Sequence, residues 1–409
     1  MTKRAPLPGL KVCVFLCLAG SILRAQNPPT APADTETISL LRSLTLAQGT
    51  SDDEGRIRSI IRAQLGPSIH VDETPAGDLV ARFPGTAPGP VILLSSHMDE
   101  VGFQVRSIAP DGFLTVAPLG NWYAGAMADH LVSLHTSHGT ITGVVGVRPP
   151  HLMSAAEKSL APGITQMYID IGASSASEAR QWGVQPGDRI TPQSDFFRLG
   201  SSSRYVSKAW DDRVGCAVLL QLARKLAATP HPNTTYIAWT TSEEFGRANA
   251  TVEMPQLHPD FVLVVEVGIT TDTPDVHASQ QQERLGLGPT LDLYDGSIST
   301  TPAIRDWVAA QATDGRIPLQ YTTILQEGAG VGPQNNSYLF RAPGTALLVP
   351  LRYAHSPHGV IDLRDVDNTR QLLLQLMRHF DASALRQMTG KEPAPADHAQ
   401  AKQDAGSLR

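Results

Sequence analysis

The sequence predicts an α/β layered fold around a mainly parallel sheet, interrupted by a small β-rich insert, on three observations. Four apolar runs, Val91–Leu94, Tyr236–Trp239, Phe261–Val265 and Ala346–Leu351, read as buried strands. Helical spacing of apolar residues recurs at Ile38, Leu41 and Leu44, at Val214, Val218, Leu222 and Leu226, and from Val366 through Leu372 and Leu376. Strands separated by helices pack as layers on a mainly parallel sheet. The third observation is a change of texture from about Gly102 to Gly200, a stretch rich in Gly, Pro, Val and Thr with short alternating pieces such as residues 140–147. That pattern predicts a small barrel-like domain inserted into the α/β one.

Each segment follows in order. Lys3, Arg4 and Lys11 precede an apolar run from Val12 to Leu23, and Ala25 offers a small residue for cleavage, so residues 1–25 read as a signal peptide and the protein as exported, periplasmic or secreted. A run of about a dozen residues is shorter than the roughly 20 a membrane span needs, which excludes stable membrane insertion after cleavage. Residues 26–36 read as a linker, 37–101 and 202–386 as the α/β domain, 102–201 as the insert and 387–409 as a disordered tail. The 409 residues, 41% hydrophobic and 18% charged, suffice for a sizeable core. A net charge of -6 without a basic block argues against nucleic acid as a partner. Cleavage would remove Cys13 and Cys17, leaving Cys216 alone and no disulfide framework.

Ligands in open α/β sheets bind beyond the carboxyl ends of the strands. All four apolar runs lead there into residues able to hold a metal: His97-Met98-Asp99-Glu100, Glu243-Glu244, Glu266 and His355. His97 and Asp99, two apart, would share a face, with Asp99 placed either to orient a metal-bound imidazole or to satisfy a structural histidine. Of Asp211-Asp212, at a helix start, one carboxylate suits capping and the other could bridge two cations. Glu243 and Glu244, adjacent at the end of an extended segment, would point differently, one as ligand and one as general base, or else form a solvated acidic pair. His130, His135, His138, His151 and His358 read as structural or exposed. No Gly-x-Ser-x-Gly elbow, His-Glu-x-x-His helix or phosphate loop is present, which removes support for serine-nucleophile and nucleotide chemistry.

The blocks from His97 to Phe103, from Trp210 to Cys216, from Ser242 to Gly246 and from Arg352 to Pro357 together resemble the signatures of the glutamyl aminopeptidase and tetrahedral aminopeptidase family. The similarity extends through Pro118-Leu119-Gly120, Ile169 to Ala173 and Val360 to Asn368. The resemblance implies a zinc-peptidase-like three-layer sandwich that removes N-terminal residues from peptides at a site of two divalent ions, zinc by first expectation, cobalt or manganese as alternatives. It implies His97, Asp211, Glu244, Glu266 and His355 as metal ligands, with Asp211 bridging, Glu243 as the base and Asp99 orienting His97. It further implies a homo-oligomer assembled from dimers, up to a dodecamer, with the β-rich insert as dimerisation domain. Two departures stand out. Glu266 replaces the family's usual Asp, which bears on metal preference, and Gly330-Val331-Gly332 replaces the usual Gly-Thr-Asp, which bears on substrate range. The competing reading is a metal-binding scaffold that has lost turnover. Endoglucanase labels on some relatives fit less well, because sugar hydrolysis needs two carboxylates and no paired histidines.

Overall fold

The computed structural model describes residues 35–393, apart from 87, 159, 161, 247–256, 275, 278–281 and 325–341. The expected signal segment, most of the linker and the Gly330-Val331-Gly332 departure lie outside the described residues.

The four apolar runs become four parallel strands at the centre of an 11-stranded sheet, in the order β12 (Thr234–Thr240), β3 (Val91–His97), β13 (Phe261–Ile269) and β16 (Gly344–Arg352). Antiparallel strands extend both sides: β2 (Leu79–Phe83) and β1 (Asp72–Glu73) beyond β12, and β17 (Gly359–Asp362), β11 (Arg204–Ser207) and β10 (Phe197–Arg198) beyond β16. β14 (Thr290–Tyr294) pairs antiparallel with β16, and β15 (Gln320–Thr323) parallel with β14. The central strands bury both faces, which is why they read as continuous apolar runs rather than alternating ones. Ile92, Leu94, Leu263, Val265, Leu347 and Val349 join the larger core, while Leu93, Val262, Val264, Ala346 and Leu348 join a smaller core on the other face.

Helices α1 (Thr35–Leu46), α2 (Gly55–Leu65), α5 (Trp210–Ala228), α6 (Pro302–Asp314), α7 (Leu363–His379) and α8 (Ala382–Thr389) supply the larger core. α5 is apolar nearly all round because it lies between the sheet, which it meets at β3 and β13, and helices α1 and α7. The helix starts are capped as their sequences suggest: Thr301 accepts from Ile304 N ahead of Pro302, Asp362 from Arg364 N, and Asp381 from Ala384 N.

The insert is a closed barrel of β4 (Gly102–Ile108), β5 (Leu114–Leu119), β8 (Tyr168–Asp170), β7 (Gly139–Gly146), β6 (Leu131–Thr136) and β9 (Arg189–Pro192), accompanied by the short helices α3 (Ala155–Lys158) and α4 (Ala176–Gln181). Phe103, Val105, Leu114, Val132, Leu134, Ile169 and Ile190 fill a core of its own. Its first and last strands pair, Phe103 opposite Ile190, so the chain enters and leaves at one place.

Three expected boundaries move. The insert was expected to run to residue 201, but β10 already belongs to the large sheet, and Phe196 packs on Trp210 of α5; a two-residue strand carries no period to read. α1 starts at Thr35, inside the expected linker. α8 continues to Thr389 into the expected tail, because Met388 packs in the core, and Gly390 at φ 70° ends the helix. No described helix is long and apolar enough to cross a membrane.

Candidate metal centre

Glu266 lies within β13, and His97 is the last residue of β3, in register with Thr240 of β12, so the sheet itself fixes two of the expected ligands toward its carboxyl edge. Asp211 arrives from the start of α5, where Ala209 takes the left-handed region at φ 53° and Asp211 and Asp212, joined by a cis peptide, depart from helical backbone angles. The two aspartates divide the work. Asp212 turns inward, accepting from Gly215 N at 3.0 Å and from Ser96 Oγ at 2.5 Å, and so caps the helix. Asp211 projects into the centre.

Two donor groups form there, His97 with Asp211 and Glu266, and Asp211 with Glu244 and His355, each with ligand atoms within 4.8 Å of one another. Asp211 is common to both. Its Oδ1 is 2.9 Å from His97 Nε2 and its Oδ2 is 3.2 Å from His355 Nε2. Glu266 Oε2 lies 3.5 Å from His97 Nε2, and Glu244 Oε2 3.5 Å from His355 Nε2. Glu243 Oε2 is also near, 3.8 Å from His97 Nε2. All seven expected site residues therefore meet, from elements up to 258 positions apart in sequence, His97 to His355.

Both imidazoles are oriented from behind. His97 Nδ1 faces Asp99, 3.1 Å from its backbone carbonyl and 3.3 Å from its Oδ1. His355 Nδ1 faces the backbone carbonyl of Asn121 at 2.6 Å, a group of the barrel. Glu243 and Glu244 do not continue an extended segment as expected; Ser242 turns into the left-handed region at φ 57° and the pair sits in a tight helical turn. That turn is held by acids. Thr241 N donates to Asp78 Oδ1 at 2.8 Å, Ser242 N to Glu54 Oε1 at 3.1 Å, Glu243 N to Asp99 Oδ1 at 3.0 Å and Glu244 N to Asp99 Oδ2 at 3.1 Å. Ser51 Oγ adds a 2.6 Å bond to Asp99 Oδ2. Beside it Lys208 Nζ pairs with Glu100 at 2.5 Å and Arg213 Nη2 approaches the same carboxylate at 3.6 Å, all three buried.

The electrostatics are those of crowded, desolvated charge. Burial raises Glu244 and Glu266 well above the usual carboxylate range, with Asp211 adding repulsion to each, and burial pushes Glu243 up to about 7. Burial would also raise Asp211, but its hydrogen bonds to His355 and His97 outweigh it and hold it low. His355 goes the other way: burial would lower it, and Asp211 and Glu244 carry it to about 10. A donor set of imidazoles and carboxylates suits Zn, Co or Mn, and Glu244 Oε1 is buried with no hydrogen-bond partner among the described residues, as a ligand oxygen would be. The residues present fit a pair of divalent ions.

Sequence reasoning missed Ser51, Glu54, Asp78, Asn121 and the pair of Lys208 with Glu100. Glu54 and Asp78 follow no apolar run, and Asn121 acts through its main chain, so neither the strand-end rule nor residue type marked them. The histidines read as structural stay outside both donor groups: His135 Nε2 meets Thr191 Oγ1 at 2.9 Å, and the rings of His130 and His358 are 5.5 Å apart.

Comparison with known proteins gives the family. Residues 77–372 match the M42 glutamyl aminopeptidase family. The putative aminopeptidase FrvX of Escherichia coli is 33% identical over 346 residues, covering 84% of this chain and 94% of its own. Among solved structures, the TET aminopeptidase of the marine sediment archaeon Thaumarchaeota archaeon SCGC AB-539-E09 superposes with a TM-score of 0.81 at 30% identity, over 87% of this chain and 99% of that one. The TET1 peptidase of Pyrococcus horikoshii, described as assembling into a tetrahedron or a large octahedral shell, gives a TM-score of 0.74 at 25% identity over 84% and 99% of the two chains. The chain belongs to the M42 glutamyl aminopeptidase family of metal-dependent hydrolases acting on peptide bonds.

Proposed function

We propose that the protein removes N-terminal residues from peptides at a centre of two divalent ions, zinc in the first instance, with cobalt and manganese compatible with the same donors. The observation that carries this reading is Asp211, whose two carboxylate oxygens face two separate imidazoles at 2.9 and 3.2 Å. His97, Glu266 and Oδ1 of Asp211 would hold one ion, and His355, Glu244 and Oδ2 of Asp211 the other. When bound, such a pair supplies Lewis acidity toward water and the scissile carbonyl and an anchor for a free amine. Asp99 fixes the proton of His97 on Nδ1, leaving Nε2 free to ligate. Glu243, whose side chain is 15% exposed and whose main chain is pinned by Asp99, would take the proton of the attacking water on its carboxylate and return it to the leaving amine.

Two further parts belong to the same proposal. Assembly as a homo-oligomer is supported by the shells described for the P. horikoshii peptidase, and the barrel is the part to which we assign it. Export is supported by the charged and apolar pattern of residues 1–25. The decisive experiment measures metal by mass spectrometry and aminoacyl-substrate hydrolysis for the wild type and Glu243→Gln. About two ions in each protein, with turnover lost only in the variant, is the expected result. One ion in the wild type, or full turnover in Glu243→Gln, would overturn it.

A further inference from the structure

The inserted barrel reaches into the metal centre. β5 ends at Leu119, and the next residues, Gly120 and Asn121, lie against Glu244 and His355. The Asn121 carbonyl accepts the Nδ1 proton of His355 at 2.6 Å, and it is the hydrogen-bond partner the structure gives to the back of that ring. His355 has need of one: it sits in a turn at φ 51° with its side chain 31% exposed, whereas His97 is enclosed at 1%. Gly120 makes the approach possible. At φ +84° it holds a backbone conformation suited to glycine, and a Cβ there would fall 2.5 Å from Val101 Cγ1 and 2.9 Å from Glu244 Oε2. The segment is anchored on the barrel side by Trp122, whose Nε1 donates to Gly102 O at 2.8 Å and whose ring stacks on Phe103 with centroids 5.2 Å apart.

We infer that Gly120-Asn121-Trp122 is a positioning element of the active site, and that the barrel, through the Asn121 carbonyl, sets the tautomer and aim of His355 and thereby the affinity for the ion shared by His355 and Glu244. The inference rests on the two-ion reading above and deepens it: the insert contributes directly to the chemistry, whatever it does in assembly. Removing a hydrogen-bond partner behind a metal-bound histidine weakens metal binding or activity by about 10- to 100-fold in general.

The test compares Gly120→Ala with Gly139→Ala, a second barrel glycine at φ +128°, which has open space around it and lies at a hairpin tip remote from the centre. Each protein is dialysed against a graded zinc buffer, its bound zinc is counted, kcat and KM are measured, and folding is followed by thermal unfolding in circular dichroism. The expected result is that Gly139→Ala keeps two ions and wild-type kcat, while Gly120→Ala stays folded, keeps the tighter ion, binds the second at least about tenfold more weakly, and loses kcat more than it raises KM. Two ions held at wild-type affinity in Gly120→Ala would overturn the inference while leaving the two-ion reading intact, and a wild type with one ion would overturn both. Because a Cβ at Gly120 also presses on Glu244 directly, Trp122→Phe, which retains the stack on Phe103 and loses the bond to Gly102, is measured alongside it and separates the Asn121 route from that contact. Weaker binding of one ion then supports the inference and unchanged binding of both refutes it.

Discussion

Glu283 gives the sharpest prediction about stability. It lies on the segment that returns alongside the end of β13, its main chain bonded to Thr271. Its side chain is fully buried against Gly268, where any Cβ would overlap the carboxylate, and among the described residues neither oxygen has a partner at good hydrogen-bond geometry. Burial pushes the group from 4.5 up to about 8, with the Thr290 hydroxyl close enough to temper the rise and Asp365, Asp292 and Asp272 adding to it. A folded state that holds the proton to higher pH than the unfolded chain is stabilised fully below 4.5, and this contribution is lost as pH rises through about 8. The rise spans 3.5 pH units at about 1.4 kcal/mol each, so the ceiling is about 5 kcal/mol. Glu283→Gln removes the titration and keeps the shape. An unpartnered buried amide shifts the variant's stability by a constant, so the pH dependence of the difference isolates the proton. Urea unfolding of both proteins in chelator, at pH values from 4.5 to 9, should show the variant gaining on the wild type by several kcal/mol up to about pH 8 and levelling off above it. A difference that stays flat across this range would refute the assignment of a buried, protonated Glu283.

Other outcomes follow from the same structure. Lys208→Met strips the closer cation from buried Glu100 and leaves Arg213 at 3.6 Å; the expected loss is about 3 kcal/mol in urea unfolding, and a loss under about 1 kcal/mol would show Arg213 sufficient. Asp99→Asn keeps most of the turn but withdraws charge from behind His97, and kcat should fall by about 10- to 100-fold with little change in fold, as read by circular dichroism and steady-state kinetics. Cys216 is buried, donates to the His97 carbonyl at 3.0 Å and has its thiol pushed up to about 12 by burial, so the native protein should not react with a thiol reagent at pH 8. After denaturation, protein cleaved after residue 25 as proposed should titrate one thiol, and three would show that Cys13 and Cys17 were retained.

The sheet was legible because its central strands are buried on both faces, and sequence carries that as unbroken apolar runs with metal-capable residues at their ends. Asp211 and Asp212 were legible as a pair with divided tasks, since a helix start can use one acid as a cap and the other is left over. What stayed hidden acts through the main chain or through short pieces. The Asn121 carbonyl has no residue signature, and β10 is too short to show a period. The acids that hold residues 241–244 come from Asp78, Glu54 and Asp99, which only the fold brings beside that turn. Glu243 and Glu244 were expected on an extended chain, and the left-handed turn at Ser242 that reorients them involves no glycine to announce it.

The neighbouring entry and exit strands of the barrel make this domain separable by surgery on the gene. With Phe103 opposite Ile190, the cut ends would stand about 5 Å apart, one rung of a β-ladder, and a tight turn of a few residues would join them. Such a trimmed enzyme would keep His97, Asp211, Glu244, Glu266 and His355 on the remaining layers while lacking Asn121. It would thus report, in one molecule, what the α/β scaffold can accomplish unaided.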